Sequence, residues 1–342
     1  MTSPHGSIRI DTSPAFASLG IAVGHATDED GATGCTVVRP LEGAMRGAAA
    51  VVGRATGTRD LLPLTTHHLV DRVDAIFLTG GSAYGLDAAA GVMQWMEEHG
   101  RGYNVGAGVV PIVPAAVIFD LAPLGRFDSR PTARMAWEAC EVARADQIEE
   151  GSVGAGTGAT VGKAAGPGCA MKGGFGAATA RSGHLVAGAV AVVNALGDVR
   201  DSRGRIIAGT RQEGGGWADS VVLLAGGGQR SFAAESPAPV NTTLAVVAVS
   251  AAFSRADLGA VAEAATAALY KRVTPSGTAF DGDIVFALAP LEGERGDPVA
   301  AGVLATAALE EAIERAVRLA RGRDGVPGLA DEGDPFAGAH TR

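Results

Sequence analysis

Apolar residues recur along the chain with two spacings, which predict strands and helices in alternation. Short apolar runs predict either strands or buried apolar segments at 34–38, 75–79 and 109–119, and strands at 185–193 and 283–288. Apolar residues three and four positions apart predict helices at 83–99, 131–144, 255–271 and 297–321. Ser254 and Asp257 resemble a capping box before the third helix. Glu310, Glu311 and Glu314 fall on the polar side of the last helix.

One further strand, at 241–249, is apolar on both of its faces. Its alternate side chains are Leu244, Val246 and Ala248 on one face and Ala245, Val247 and Val249 on the other. A strand of this kind is covered on both sides and lies inside a layered protein. Together with the amphipathic helices, it predicts an α/β architecture with stacked sheets and outer helices. We find no internal repeat and no linker, so residues 1–342 are expected to form a single domain.

The composition is that of a soluble globular protein, with 342 residues of which 47% are apolar. The formal net charge is -9 and Lys and Arg do not cluster, which argues against nucleic acid as a partner. No eighteen-residue apolar stretch and no apolar signal core occur, so neither a membrane span nor export is expected. Cys35, Cys140 and Cys169 lack the paired spacing of a zinc site and are predicted to be buried thiols. The expected location is therefore the cytoplasm.

Several familiar motifs are present only in part. The run from Gly154 to Lys163 is similar to a phosphate-binding loop, but Ala164 stands where Ser or Thr should follow the lysine. Gly80-Gly81-Ser82-Ala83-Tyr84-Gly85 is similar to a nucleophile elbow, but Tyr84 replaces its second glycine. We interpret Ser82 as a helix N-cap and Gly80 to Tyr84 as a candidate pocket wall. The seven histidines form neither a triad nor a metal set, and no cofactor is expected.

Two hydroxyl residues, Thr242 and Thr243, directly precede the core of the doubly covered strand, after Asn241. A threonine at a strand start is ordinarily a β-forming residue with a satisfied hydroxyl. If the bond between Asn241 and Thr242 were cut, the new α-amine of Thr242 could act as base for its own hydroxyl. Side chains alternate along a strand, so Thr243 would point to the opposite face. Only Thr242 is therefore a candidate nucleophile.

Four other polar residues have two interpretations each. Lys163, between glycines, is either a solvated charge or a buried ammonium enclosed by close backbone. Asn194 follows the strand at 185–193, and it is either a turn residue or an amide donor to an oxyanion. Asp281 and Asp283 are two positions apart, so they either form an acidic turn or point the same way toward an ammonium group.

Taken together, these segments resemble the DmpA-type L-aminopeptidase/D-esterase family, which includes β-aminopeptidases and the nylon-oligomer (6-aminohexanoate oligomer) hydrolases. The matching motifs span nearly the whole chain in order: 20–25, 78–86, 113–120, Gly154-Ala155-Gly156 with Gly162-Lys163, Val193-Asn194, Asn241-Thr242-Thr243 and Asp281-Gly282-Asp283. The resemblance implies a four-layer α/β/β/α sandwich. It also implies a precursor that cleaves itself between Asn241 and Thr242, giving chains 1–241 and 242–342, and an assembly of several αβ units.

The resemblance also implies residue roles. Thr242 corresponds to the nucleophile, Asn194 to the oxyanion donor and Lys163 to the lysine near the nucleophile of the nylon hydrolases. Asp281 and Asp283 correspond to the acidic pair that orients the nucleophile. The threonine, where the best-known aminopeptidases have serine, and Asp283, where they have glutamate, favour the nylon-hydrolase subgroup.

Substrate contacts are expected from Gly81, Ser82, Tyr84 and Phe119, although Phe119 stands where the nylon-hydrolase subgroup has a tyrosine. The function expected from these matches is hydrolysis of amide bonds in small peptides, amino-acid amides or ω-amino oligomers. One alternative is an acyltransferase of the ornithine-acetyltransferase kind, which also matures at a threonine. Another is a small-ligand binding protein that uses its glycine-rich loops without covalent chemistry.

Overall fold

Strands and short helices alternate through the computed structural model, which describes residues 7–13, 15–227 and 241–331. The strands are β1 Arg9–Asp11, β2 Ile21–Asp28, β3 Thr33–Pro40, β4 Arg46–Val51, β5 Thr58–Arg59, β6 Ile76–Thr79, β7 Tyr103–Asn104, β8 Val109–Val110, β9 Ala115–Val117, β10 Thr160–Val161, β11 Met171–Lys172, β12 Gly174–Ser182, β13 Leu185–Asn194, β14 Asp198–Arg200, β15 Ile206–Ala208, β16 Thr242–Val249, β17 Val273–Thr274 and β18 Ile284–Ala289. The α-helices are α1 Ala89–Glu98, α2 Ala133–Glu141, α3 Ser220–Ala225, α4 Arg255–Ala265, α5 Ala267–Arg272 and α6 Pro298–Arg318. Helical turns of the 3₁₀ type are Phe16–Leu19, Leu62–Leu64, Ser82–Ala88, Gly154–Gly156 and Pro167–Cys169.

Two large sheets organise these elements. The first has the order β1-β12-β13-β16-β18-β4, and the second has the order β2-β3-β6-β9-β5. In the first sheet, β16 lies between antiparallel β13 and parallel β18. The register places Thr242 opposite Asn194 and Leu244 beside Ile284. The polar ends of three strands therefore meet at one point of the sheet.

The two sheets stack face to face, and helices cover both outer faces. Between the sheets lie Leu244, Val246 and Phe286 of the first sheet and residues such as Ile76 and Leu78 of the second. The other face of the first sheet packs on α4, α5 and α6, and the other face of the second sheet packs on α1 and α2. The expected α/β/β/α sandwich is confirmed, as is the double coverage of β16, all of whose residues are buried.

The strands predicted at 185–193 and 283–288 are confirmed, and 34–38 and 75–79 also form strands, whereas the run at 109–119 contains two short strands. Its residues form β8 and β9, which lie in different sheets. Pro111 and Pro114 separate the two strands, because proline has no N–H to donate to a strand partner. The predicted helix at 255–271 is also divided, at Thr266. There Thr266 donates its hydroxyl to the Glu263 carbonyl oxygen at 2.6 Å, and its N–H bonds the same oxygen, which tightens the turn.

Two helix starts differ from the prediction. Ser82 is not an N-cap: it has φ +52° and opens the 3₁₀ turn Ser82–Ala88, while Gly81 before it adopts a left-handed conformation. The helix predicted at 131–144 begins at Ala133, where the Thr132 hydroxyl accepts a bond from the Met135 N–H. In contrast, Ser254 and Asp257 form the expected reciprocal cap.

A further correction concerns α6, whose Glu314 is buried and not on a solvated face. It pairs with Arg272 at the end of α5, which joins α5 to α6. Cys35 and Cys140 are buried as expected, whereas Cys169 is partly exposed, and all three thiols are free. Within the described ranges, no helix combines the length and apolarity needed to cross a bilayer.

Candidate active site

Thr242 begins the central strand of the first sheet, and its side chain is buried. Alternation along β16 directs Thr242 to the side of Leu244, toward the space between the two sheets. Thr243 faces the opposite side, with Ala245 and the outer helices, and its hydroxyl has no hydrogen-bond partner among the described residues. The two threonines are therefore in different environments, as predicted.

The Thr242 hydroxyl lies against the peptide bond that precedes it. Its Oγ1 donates a hydrogen bond to the Asn241 carbonyl oxygen at 2.6 Å. The main-chain N–H of Gly282 donates to the same oxygen at 2.9 Å. A parallel bridge between Asn241 and Asp281 fixes this alignment. The Asn241 carbonyl is thus held between a hydroxyl and a backbone amide.

The two aspartates lie beside this peptide bond, just before β18. Asp283 Oδ1 accepts the Thr243 N–H at 2.6 Å, and Asp283 Oδ2 accepts the Ser276 hydroxyl at 2.9 Å. Asp281 Oδ2 accepts the Thr278 N–H at 2.8 Å. The Asp283 side chain is therefore bonded to the backbone of Thr243, and the Asp281 side chain is bonded within its own loop.

Asn194 lies opposite Thr242 on the neighbouring strand, and Lys163 bonds to it. Lys163 is buried, and its Nζ donates to the carbonyl oxygen of Asn194 at 3.2 Å and to Asn194 Oδ1 at 2.9 Å. The Thr160 N–H donates to the same Oδ1 at 3.0 Å. These donors identify Oδ1 as the acceptor end of the amide, so Nδ2 is directed to the Phe119 carbonyl oxygen at 3.0 Å. Asn194 ends its strand, as predicted. Of the two interpretations of Lys163, a solvated charge or a buried amine, the structure shows the buried one.

Burial shifts the ionisation of all three charged groups. Desolvation lowers the pKa of Lys163 to about 7, although the negative charge of Asp281 opposes the shift. Desolvation, reinforced by repulsion from Asp281, raises the pKa of Asp283 to about 7. Desolvation also raises the pKa of Asp281. Proton exchange near neutral pH is therefore available on both sides of Thr242.

The four predicted substrate-contact residues divide into two sets. The carbonyl oxygen of Phe119 accepts a hydrogen bond from the Asn194 side chain. Gly81 lies close by because its N–H donates to Asp120, the residue after Phe119. Ser82 follows Gly81, and its N–H donates to the Ile118 carbonyl oxygen.

Tyr84 belongs to a different set of contacts. The residue is 52% exposed, and its ring lies edge-on to Phe127 with the Arg130 guanidinium 3.6 Å from its centroid. An exposed aromatic pair with a cation is suited to contact with a ligand at the surface.

Three polar features were not predicted from the sequence. Gly282 offers its N–H to the Asn241 carbonyl, and a backbone donor has no signature in residue type. Buried Lys172 donates to three carbonyl oxygens, and its pKa is lowered to about 7, first of all by desolvation. Buried Asp120 accepts from Thr33 at 2.7 Å and from Gly81 at 2.6 Å, and its pKa is raised to about 6 by desolvation. Across the described ranges, no three His, Cys, Asp or Glu side chains could hold a metal ion.

Comparison with known proteins identifies the family of this chain. The family model described as Peptidase family S58 matches residues 19–328. An uncharacterized aminopeptidase of Mycobacterium tuberculosis is 42% identical over 313 residues, which cover 87% of each chain. A 6-aminohexanoate-oligomer endohydrolase of Kocuria sp. is 32% identical over 282 residues, covering 80% of this chain and 74% of that protein.

A solved structure extends the comparison to the fold. The L-aminopeptidase D-Ala-esterase/amidase from Ochrobactrum anthropi, described as a variant of the Ntn hydrolase fold, superposes with a TM-score of 0.67 at 17% identity. The superposition covers 94% of this chain and 92% of that one. The chain thus has an Ntn-hydrolase type of fold, and it belongs to peptidase family S58, which makes it a hydrolase.

Proposed function

We propose that this chain is a self-cleaving amide hydrolase with Thr242 as its nucleophile. The observation that carries the proposal is the contact of Thr242 Oγ1 with the Asn241 carbonyl oxygen at 2.6 Å, at the start of a buried central strand. A hydroxyl in this position lies beside the peptide bond that it would attack, which favours the reaction by proximity. The products would be chains 1–241 and 242–342, folded together as one catalytic domain.

Self-cleavage requires no cofactor, because the chain and one water supply every atom of the reaction. Thr242 Oγ bonds to the Asn241 carbonyl carbon, the bond from that carbon to the Thr242 nitrogen breaks, and the hydroxyl proton ends on that nitrogen. The resulting ester is hydrolysed by water, which leaves a carboxylate on Asn241 and restores the Thr242 hydroxyl. The α-amine thus released has an ordinary pKa of about 8, so it serves as base near neutral pH.

In the mature enzyme the same group of residues acts on a substrate amide. The α-amine takes the proton of the Thr242 hydroxyl while Oγ attacks the substrate carbonyl, and the acyl-enzyme is then hydrolysed. The proposed role of Asp281 and Asp283 is to orient the new ammonium group, which is supported by the bond from the Thr243 N–H to Asp283 next to Thr242. Asn194 supplies an amide donor for the oxyanion, a contribution of roughly 3 kcal/mol per donor. Lys163 holds Asn194 and adds positive charge.

The substrates we propose are small amides with a free amine: peptides, amino-acid amides or ω-amino oligomers. The names of the aminopeptidase and 6-aminohexanoate-oligomer endohydrolase relatives support this range. Gly81, Ser82 and Phe119 would form the wall nearest the nucleophile, and Tyr84 an outer contact. We further propose that the enzyme works in the cytoplasm as a homo-oligomer of αβ units.

Two neighbouring threonines provide a test with a matched control. Thr242→Ala should abolish both cleavage at 241/242 and amide hydrolysis, because the attacking oxygen is lost. Thr243→Ala removes a hydroxyl that bonds to no described residue, so cleavage and hydrolysis should persist. Self-cleavage is measured by denaturing gel electrophoresis. Amide hydrolysis is measured separately, with the folded protein, on a panel of α-, β- and ω-amino amides. Retention of activity in Thr242→Ala, or equal loss in Thr243→Ala, would contradict the assignment.

A further inference from the structure

We infer that the main-chain N–H of Gly282 is the oxyanion donor of the self-cleavage step, an inference that rests on the proposed self-cleavage at 241/242. When Thr242 Oγ attacks, negative charge develops on the Asn241 carbonyl oxygen. The Gly282 N–H already points at that oxygen from 2.9 Å, within the range of effective oxyanion donors. A backbone N–H does not titrate, so this donor is available at any pH.

The absence of a side chain at Gly282 is what allows this arrangement. A Cβ on Gly282 would lie 2.7 Å from Thr242 Oγ1 and 2.7 Å from the Ala55 carbonyl oxygen. Both distances are shorter than real Cβ contacts, so any other residue would displace the nucleophile or the neighbouring backbone. Glycine at this position thus lets the attacking oxygen and the oxyanion donor meet the same carbonyl.

The neighbouring segment 52–55 fixes the direction of the donor. The N–H groups of Val52 and Gly53 bond to the Asp283 carbonyl oxygen at 2.9 and 3.0 Å, and the Ala55 N–H bonds to the Asp281 carbonyl oxygen at 2.9 Å. Gly53 packs so closely that a Cβ there would lie 2.2 Å from the Asp281 oxygen. The peptide unit that carries the Gly282 N–H is therefore held on both sides before the reaction begins, as an effective oxyanion donor requires.

This assignment separates the two chemical roles of the site. The Gly282 N–H bonds to the chain's own Asn241 carbonyl, whereas the Asn194 amide nitrogen is directed to Phe119, on the side of the candidate substrate wall. Self-cleavage and turnover would then rely on different principal donors. Loss of the Gly282 donor should slow maturation of the full chain.

An ester exchange in the full-length chain tests the inference. Cell-free translation with a suppressor tRNA carrying glycolic acid replaces the Gly282 N–H by an oxygen and leaves the absence of a side chain unchanged. The matched control carries glycolic acid at position 151, which removes the buried Gly151 N–H from the Phe175 carbonyl oxygen, a bond of 2.7 Å outside the site. The rate of conversion to chains 1–241 and 242–342 is followed by gel and mass spectrometry, and protease resistance checks folding.

We expect the ester at 282 to slow self-cleavage by about a hundredfold to a thousandfold, as for loss of one oxyanion donor. The ester at 151 should slow it by less than about tenfold, since it removes one ordinary hydrogen bond away from the Asn241 carbonyl. Equal rates for the two esters, or a near-normal rate for the ester at 282, would overturn the inference. Failure of the unmodified chain to cleave at 241/242 would instead refute the proposed self-cleavage, so the two failures are distinguishable.

Discussion

Replacing Lys163 by methionine tests whether the buried ammonium serves the chemistry or only the fold. The substitution keeps the length of the side chain and removes its charge and its donors. In the structure those donors reach Asn194 Oδ1 at 2.9 Å and the Asn194 carbonyl oxygen at 3.2 Å. Asn194 would keep its bond from the Thr160 N–H but lose its charged partner.

The magnitude follows from the loss of that partner. A hydrogen bond to a charged group contributes about 1.5–3 kcal/mol. If the bond holds the oxyanion donor of the mature enzyme, its loss slows turnover by roughly tenfold to a hundredfold, whereas self-cleavage, which relies on the Gly282 N–H, should slow by less. Part of a positive charge near the developing oxyanion is lost as well, because the pKa of Lys163 is lowered to about 7, and this loss acts in the same direction.

Lys172 offers the matched control, because it is also fully buried and its pKa is also lowered to about 7. Its Nζ donates to the carbonyl oxygens of Gly156, Ala159 and Gly173 and not to Asn194. Lys172→Met should therefore lower the melting temperature and leave the rate of the folded enzyme close to that of the wild type.

The assay compares both variants at a temperature where each is folded, with self-cleavage followed by gel and turnover by release of amine. The reasoning would be refuted if Lys163→Met reacted at the wild-type rate. Equal slowing by the two substitutions would refute it too.

Three further changes probe other parts of the structure. In a Thr242→Ala background, which prevents cleavage, Asp283→Asn should alter the pH dependence of stability. The pKa of Asp283 is raised to about 7, so between about pH 4 and 7 the folded chain holds a proton that the unfolded chain releases. The free energy of unfolding of the Asp283 protein, relative to the Asn variant, should thus fall by a few kcal/mol as pH rises through this window, and urea titrations at pH 4.5 and 7 check the sign. Phe286→Ala, between the two sheets, should destabilise by about 3–5 kcal/mol in the same assay. Tyr84→Ala should leave self-cleavage unchanged and raise KM several-fold with little change in kcat, as expected for a ring that contacts only bound substrate; an altered self-cleavage rate would contradict its peripheral place.

The layered fold follows from patterns that are local in the sequence. Both faces of β16 are apolar, which requires cover on both sides, and the helix spacing supplies that cover. The division of the helix at Thr266 was harder to predict, because it depends on a hydroxyl that competes for the Glu263 carbonyl. The break at Pro111 and Pro114 could have been predicted from the sequence, since proline interrupts strand pairing.

The site was harder to predict from the sequence than the fold was. Lys163 and Asn194 each had an ordinary interpretation when considered alone, and only the structure shows that the Lys163 side chain bonds to the Asn194 side chain. The family resemblance implied a separate role for each residue, but neither it nor residue type predicted their contact. The Gly282 N–H could not be predicted at all, because a backbone donor is defined by where the chain is held and not by a side chain.

The central claim, that Thr242 becomes a new N-terminus, is tested most directly by intact-mass spectrometry of the purified protein with N-terminal sequencing. We expect two chains, 1–241 and 242–342, with the second beginning at Thr242 and the appearance of amide hydrolysis tracking its formation. A single uncut chain of 342 residues with full amide-hydrolysing activity would contradict the account.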